Sequence, residues 1–181
     1  VLADVVGAPR SDAVAPLTIV LAATAGLLLP LVARRLLGRR VAWVTSAAWL
    51  AYPLTLWTTK QPNSEVPFLV GLYAAVLLLV PLLTDGRAGP RRLAAAGAAL
   101  GLAAIVRPAG LALIPVVILV AWLRLPDHRW RRLGLVAVLA VAAAVPVLVV
   151  STWTSVQRDR VALLSDSNVA NLVEGLSFAV D

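Results

Sequence analysis

The feature that most constrains this chain is a series of long apolar stretches without charged side chains. Residues 14–33, 41–59, 66–83 and 133–151 each lack Asp, Glu, Lys and Arg. An α-helix rises about 1.5 Å per residue, so a stretch of this length crosses a hydrocarbon core of about 30 Å. Unpaired backbone groups are costly in lipid, which limits spanning segments to helices or closed barrels. No stretch alternates apolar and polar residues like a barrel strand, so the pattern predicts transmembrane helices.

Composition agrees with a membrane protein and excludes several other classes. Apolar residues make up 61% of the 181-residue chain and charged residues only 14%, whereas a soluble domain carries about a quarter charged residues. The net charge is +7, but the arginines lie between apolar runs and form no basic amphipathic face, so no nucleic-acid partner is expected. The absence of cysteine excludes disulfides, thiolate metal sites and cysteine nucleophiles.

The middle of the chain allows two topologies. Residues 94–106 and 109–123 are apolar, and Arg107-Pro108 separates them. Each half is short for a span, so the region is either one broken helix or a tight helical hairpin. Cytoplasmic loops of membrane proteins are enriched in Lys and Arg, and this rule can decide between the two.

Charge distribution favours the hairpin. With a turn at Arg107, the loops 34–40, 85–92 and 124–132 fall on one side and hold 11 of the 16 basic residues. The opposite side then holds seven of the nine acids. We therefore expect an all-α, polytopic bundle of about six spans in the cell membrane, with the basic loops in the cytoplasm. Its organisation would be an extracytoplasmic tail (residues 1–13), a helical domain (14–151) and the start of an extracytoplasmic polar segment (152–181), with one short strand and a turn.

Soluble-enzyme motifs and metal-site patterns are absent from the sequence. The single histidine, His128, lies in a basic loop, so no metal ligand set is expected and no catalytic residue is assigned. Two places could bind a substrate. The first is the segment 60–65, from Lys60 through Asn63 to Glu65. Ser64 could cap the following helix and Glu65 could stabilise its N-terminus; alternatively, Glu65 faces a polar cavity and bonds a sugar hydroxyl.

The second place is Arg107-Pro108. An arginine near a helix end can reach the interface without any function. Here, however, the following residues Pro108, Ala109 and Gly110 predict a sharp turn that holds the guanidinium in one position. Its planar fork of donors suits a phosphate group, so Arg107 is a candidate ligand for a lipid phosphate.

Several short motifs then follow in a recognisable order. They are ARRLLGRR at residues 33–40, YP at 52–53, SE at 64–65, AGAALGLA at 96–103, VRPAGL at 106–111, Trp153, LSDSN at 164–168 and NLVEG at 171–175. This series resembles the GT-C membrane glycosyltransferases, specifically the dolichyl-phosphate-mannose-protein mannosyltransferase-like group that includes the bacterial aminoarabinose transferases. The resemblance covers nearly the whole chain, and its motifs are specific through their order and spacing.

The resemblance implies a polyprenyl-phosphate-linked sugar donor and a protein, lipid or glycan acceptor on the extracytoplasmic face. No cofactor is evident, although the complete enzyme could use a divalent cation. Arg107 would bind the donor's phosphate, and Glu65, Asn63 and Lys60 would contribute to substrate binding. The family's general base lies in its first extracytoplasmic loop, for which this chain shows no match. We therefore expect a partial domain that does not transfer sugar alone. A fragment of a transporter or permease and a non-catalytic membrane assembly subunit remain as alternatives.

Overall fold

The computed structural model describes residues 10–52, 64–125 and 128–158, and this part of the chain is entirely helical outside its turns. It forms six helices: α1 (Arg10–Leu37), α2 (Arg39–Ala51), α3 (Glu65–Asp85), α4 (Pro90–Val106), α5 (Ala109–Arg124) and α6 (Arg129–Arg158). Three segments, Pro16–Leu37, Glu65–Asp85 and Arg129–Val156, are long and apolar enough to cross a membrane, and α5 is a shorter apolar helix. The predicted all-α membrane bundle is confirmed.

The α4–α5 connection is a hairpin. A single core cluster contains Leu93 from the start of α4, Ala121 and Leu125 from the end of α5, Leu82 from the end of α3 and Leu139 from α6. One continuous helix through residues 93–125 would place its ends about 48 Å apart, so α4 and α5 must run in opposite directions. The prediction of a tight turn at Arg107-Pro108 is confirmed.

Consecutive helices alternate in direction, so their termini gather at two ends of the bundle. At one end, α1 turns into α2 at Gly38, whose φ of 94° is unfavourable for residues with a side chain. The C-termini of α3 and α5 and the N-termini of α4 and α6 meet there as well. We call this the arginine-rich end, because it holds Arg34, Arg35, Arg39, Arg40, Arg87, Arg91, Arg92, Arg124, Arg129, Arg131 and Arg132. The opposite end, where α3 begins and α4 turns into α5, is the Glu65 end.

Glycines on α4 allow its backbone to touch α6. A Cβ added at Gly97 would lie 2.4 Å from the carbonyl oxygen of Leu139, and one at Gly101 would lie 2.4 Å from that of Ala143. Both distances are far below van der Waals contact, so only glycine fits. Small residues drive helix association in lipid through this kind of close packing. Gly97 and Gly101 therefore hold α4 against α6.

Most helix ends lie within four residues of the sequence-based boundaries, and two do not. The second span was predicted to reach residue 59; α2 ends at Ala51, because Tyr52 is extended and precedes Pro53, which disfavours helical backbone at the residue before it, and residues 53–59 lie outside the described part of the chain. Helix α6 continues to Arg158, past the predicted limit at residue 151, and the hydroxyls of Thr152 and Thr154 bond back to carbonyls of their own helix. The predicted strand and turn of the C-terminal segment lie outside the described residues.

Candidate functional site

The turn between α4 and α5 fixes the backbone of Arg107. Helix α4 ends at Val106, and Arg107 adopts an extended conformation (φ −141°, ψ 119°) while its N–H donates to the carbonyl of Ala103. The N–H of Gly110 then donates to the carbonyl of Arg107 at 2.8 Å. A Cβ at Gly110 would lie 2.7 Å from the Cα of Ala104, so this glycine lets α5 fold back tightly. The sequence Arg-Pro-Ala-Gly therefore holds Arg107 at the tip of the hairpin, as predicted.

Glu65 begins the neighbouring helix, α3. Its carboxylate lies in the first helical turn, where the helix dipole favours a negative charge. The expectation that Ser64 caps this helix is wrong in one respect. Ser64 occupies the cap position, but its backbone is helical (φ −78°, ψ −9°) and its hydroxyl makes no capping bond. A capping side chain requires an extended backbone to reach the free N–H groups of the first turn.

Arg107 and Glu65 form an ion pair across the Glu65 end. Nη1 of Arg107 donates to Oε1 of Glu65 at 2.9 Å, and the two side chains are 43% and 53% exposed. The pair connects residues 42 positions apart in sequence, because α3 and α4 are antiparallel neighbours whose ends coincide here. The two charged residues singled out from the sequence are thus brought into direct contact.

The pair is suited to exchange with a ligand. Ion pairs this exposed contribute only about 0–1 kcal/mol to stability, so opening the contact costs little. An arginine carries five N–H donors in a planar fork that can bind phosphate oxygens at two points. The Glu65 carboxylate, in turn, accepts hydrogen bonds such as those from sugar hydroxyls. The geometry therefore places a group that can bind phosphate beside a group that can accept hydrogen bonds from hydroxyls.

The other predicted site residues and the possible cation are not tested by the structure. Lys60 and Asn63 lie outside the described residues, immediately before α3 in sequence. Within the described ranges, no group of three or more His, Asp or Glu side chains could hold a metal ion. Candidate substrate ligands in this part of the chain are therefore Arg107 and Glu65, and no general base is identified.

Comparison with known proteins gives one result. No curated protein and no solved structure matches the chain. The sequence profile described as dolichyl-phosphate-mannose-protein mannosyltransferase, however, matches residues 2–155. The match covers all six helices apart from the last residues of α6, and it includes the Arg107–Glu65 pair. The family named from the order of the motifs is confirmed: the chain belongs to the dolichyl-phosphate-mannose-protein mannosyltransferase family of membrane glycosyltransferases.

Proposed function

We propose that this chain forms part of a membrane glycosyltransferase that moves a sugar from a polyprenyl-phosphate donor to an extracytoplasmic protein, lipid or glycan. Family membership supports the reaction class. The concentration of arginine at one end of the bundle supports a cell-membrane orientation with the Glu65 end facing outward, since cytoplasmic loops are enriched in basic residues.

The observation that carries the proposal is the Arg107–Glu65 ion pair at the hairpin tip. The donor's phosphate displaces the Glu65 carboxylate from Arg107 and takes its place. Glu65 then accepts a hydrogen bond from a hydroxyl of the donor sugar. Lys60 and Asn63, close to Glu65 in sequence, add further donors to the same substrate.

This arrangement helps the reaction at the leaving group. Transfer forms a bond between the acceptor oxygen and the anomeric carbon of the sugar, and breaks the bond between that carbon and the phosphate oxygen. The acceptor's hydroxyl proton passes to a base that is not among the described residues. The phosphodiester has one negative charge, and the released phosphomonoester gains a second. A guanidinium held at the phosphate stabilises this developing charge in the transition state more than in the bound donor.

Donor-dependent transfer in reconstituted membranes tests the role of Arg107. With the complete protein in proteoliposomes, Arg107→Ala should reduce kcat/KM for the donor about tenfold to a hundredfold, as expected for losing one or more charge-assisted bonds. Arg107→Lys keeps the charge but loses the planar fork, so it should also be impaired, though less. Arg91→Ala, which removes one arginine at the opposite end, is the matched control and should keep wild-type donor dependence. Wild-type donor dependence in Arg107→Ala would leave Arg107 as a turn residue only.

A second variant tests the exchange itself. Glu65→Gln removes the charge that competes for Arg107 and weakens the acceptor of the sugar hydroxyl. We expect the donor KM to fall while kcat also falls, because the donor binds more readily but is held less well for reaction. A raised donor KM with unchanged kcat would contradict displacement of Glu65 by phosphate.

A further inference from the structure

A cavity of about 560 Å³ opens at the arginine-rich end, far from the Arg107–Glu65 pair. Three arginines from different elements line it: Arg87 from the α3–α4 loop, Arg92 from the first turn of α4 and Arg131 from the first turn of α6. The remaining lining residues are Pro81, Asp85, Gly86, Ala88, Gly89, Leu125 and Leu135. Asp85 is thus the single carboxylate in the described lining, and the arginines outnumber it three to one.

These arginines are not neutralised within the described part of the chain. No ion pair joins Arg87, Arg92 or Arg131 to a described carboxylate, Asp85 included. Helices α4 and α6 both begin at this cavity, and their N-termini add partial positive charge. A cavity with these properties favours an anion, and arginine donors favour phosphate in particular.

A second cavity adjoins the first, between α1 and α3. It has a volume of about 270 Å³ and shares Pro81 and Arg92 with the larger cavity. Its other lining residues are Leu31 and Arg35 of α1 and Leu77, Leu78 and Val80 of α3. Arg92 therefore lies between a basic cavity at the surface and a cleft between two spanning helices that is lined mainly by aliphatic side chains.

We infer that the two cavities together bind a phosphate-bearing lipid of the leaflet at the arginine-rich end. The phosphate lies among Arg87, Arg92 and Arg131, and an acyl or prenyl chain lies in the aliphatic cleft between α1 and α3. A free anion would use the basic cavity but would gain nothing from the cleft, so the position of the cleft directly beside the basic cavity, with Pro81 and Arg92 lining both, favours a lipid. This site is independent of the proposed transfer reaction, because it lies at the opposite end of the bundle.

Lipid binding to the full chain in detergent tests the inference. Native mass spectrometry would measure titrations with dioleoylphosphatidic acid, dioleoylphosphatidylcholine and inorganic phosphate. We expect phosphatidic acid to bind at least about tenfold more tightly than either of the other two. Arg92→Gln and Arg131→Gln should each weaken phosphatidic acid binding by about tenfold, the loss expected for one charge-assisted contact.

Arg91→Gln supplies the matched control. Arg91 neighbours Arg92 in the first turn of α4 but lines neither cavity, so its loss should change binding less than about twofold. An equal loss in Arg91→Gln and Arg92→Gln would mean general attraction to a basic surface and would overturn the site. Inorganic phosphate that binds as tightly as phosphatidic acid would overturn the lipid assignment. Circular dichroism and gel filtration of each variant establish folding. Because Arg92 and Arg131 lie on separate helices, one variant still tests the site if the other fails to fold.

Discussion

The two ends of the bundle carry charge in opposite ways. The arginine-rich end gathers 11 arginines from loops and helix termini, and three of them surround a cavity without a described ion-pair partner. At the Glu65 end, the described side chains include a single arginine, Arg107, which is held by a rigid turn and paired with Glu65 at 2.9 Å. Helix α4 connects the two ends, with Arg91 and Arg92 at its start and Arg107 directly after its last residue.

The difference shows that the number of arginines at one end and the geometry of a single arginine have separate consequences. Many arginines spread over several loops set the orientation of a bundle through their summed charge, and most can be replaced individually. One arginine fixed in a turn against a carboxylate presents its donors in a single direction. We therefore expect the orientation of the bundle to change only when several arginines at the arginine-rich end are replaced together, whereas replacing Arg107 alone should have an effect at the Glu65 end.

The largest expected effect is an all-or-none difference in accessibility between the ends. The chain has no native cysteine, and Ser64 and Gly89 are exposed at the Glu65 end and the arginine-rich end, respectively. In intact cells, an impermeant maleimide should label Ser64→Cys and should label Gly89→Cys only after permeabilisation. Labelling of Gly89→Cys alone in intact cells would reverse the orientation assigned to the bundle.

The second-largest expected effect is the loss of stability when α4 and α6 are forced apart. Gly97→Ala places a methyl group 2.4 Å from a backbone oxygen of α6, so the helices must move apart. We expect a loss of about 1–3 kcal/mol, typical of overpacking, measured as a lower midpoint of thermal unfolding in detergent. Gly134→Ala is the control, because nothing lies within 4 Å of its added Cβ. Equal midpoints for the two variants would show that α4 and α6 do not pack this closely.

A smaller effect is expected at the turn that begins α2 at the arginine-rich end. Gly38→Ala forces a side chain into a backbone conformation with φ of 94°, although the added Cβ meets no atom within 4 Å. The cost is therefore conformational and should be about 1–2 kcal/mol. Gly89→Ala has equal space but a negative φ of −83° and should leave the unfolding midpoint nearly unchanged. A similar loss in both variants would mean that backbone strain at Gly38 is not the cause.

The smallest expected effect concerns the ion pair as a source of stability. Glu65→Gln should change the free energy of unfolding by less than about 1 kcal/mol, because both side chains of the pair are close to half exposed and exposed ion pairs contribute little. The same thermal unfolding experiment measures it, at low and high salt. A loss of several kcal/mol would mean that the pair serves the fold, and would weaken the view that it opens for a ligand.

Much of the fold could be predicted from the sequence because lipid imposes direct constraints. Apolar runs indicate where helices cross, and the loop charges favoured a turn at Arg107-Pro108. Helix ends were harder to place: α2 stops at Ala51 because of local proline geometry, and α6 extends to Arg158 because polar residues such as Thr152 satisfy their hydroxyls within the helix.

The candidate site could be predicted from the sequence only in part. Charge and turn chemistry singled out Arg107 and Glu65, but their contact depends on α3 and α4 being antiparallel neighbours with coincident ends. The opposite signs of the two charges could have indicated this contact, since opposite charges at adjoining helix ends commonly pair. Nothing in the sequence separated Arg92 and Arg131 from the other loop arginines, because a shared cavity is a property of packing rather than of any single segment.

Helix length has a consequence for the surrounding bilayer. Helices α4 and α5 have 17 and 16 residues, or about 24–26 Å, whereas the hydrocarbon core is about 30 Å thick. A short hydrophobic segment draws the headgroups inward and thins the bilayer around it. The membrane should therefore be depressed beside the α4–α5 hairpin, which brings lipid headgroups down to the depth of Arg107. A lipid-linked phosphate that diffuses in that leaflet would then reach the guanidinium without leaving the layer of lipid headgroups.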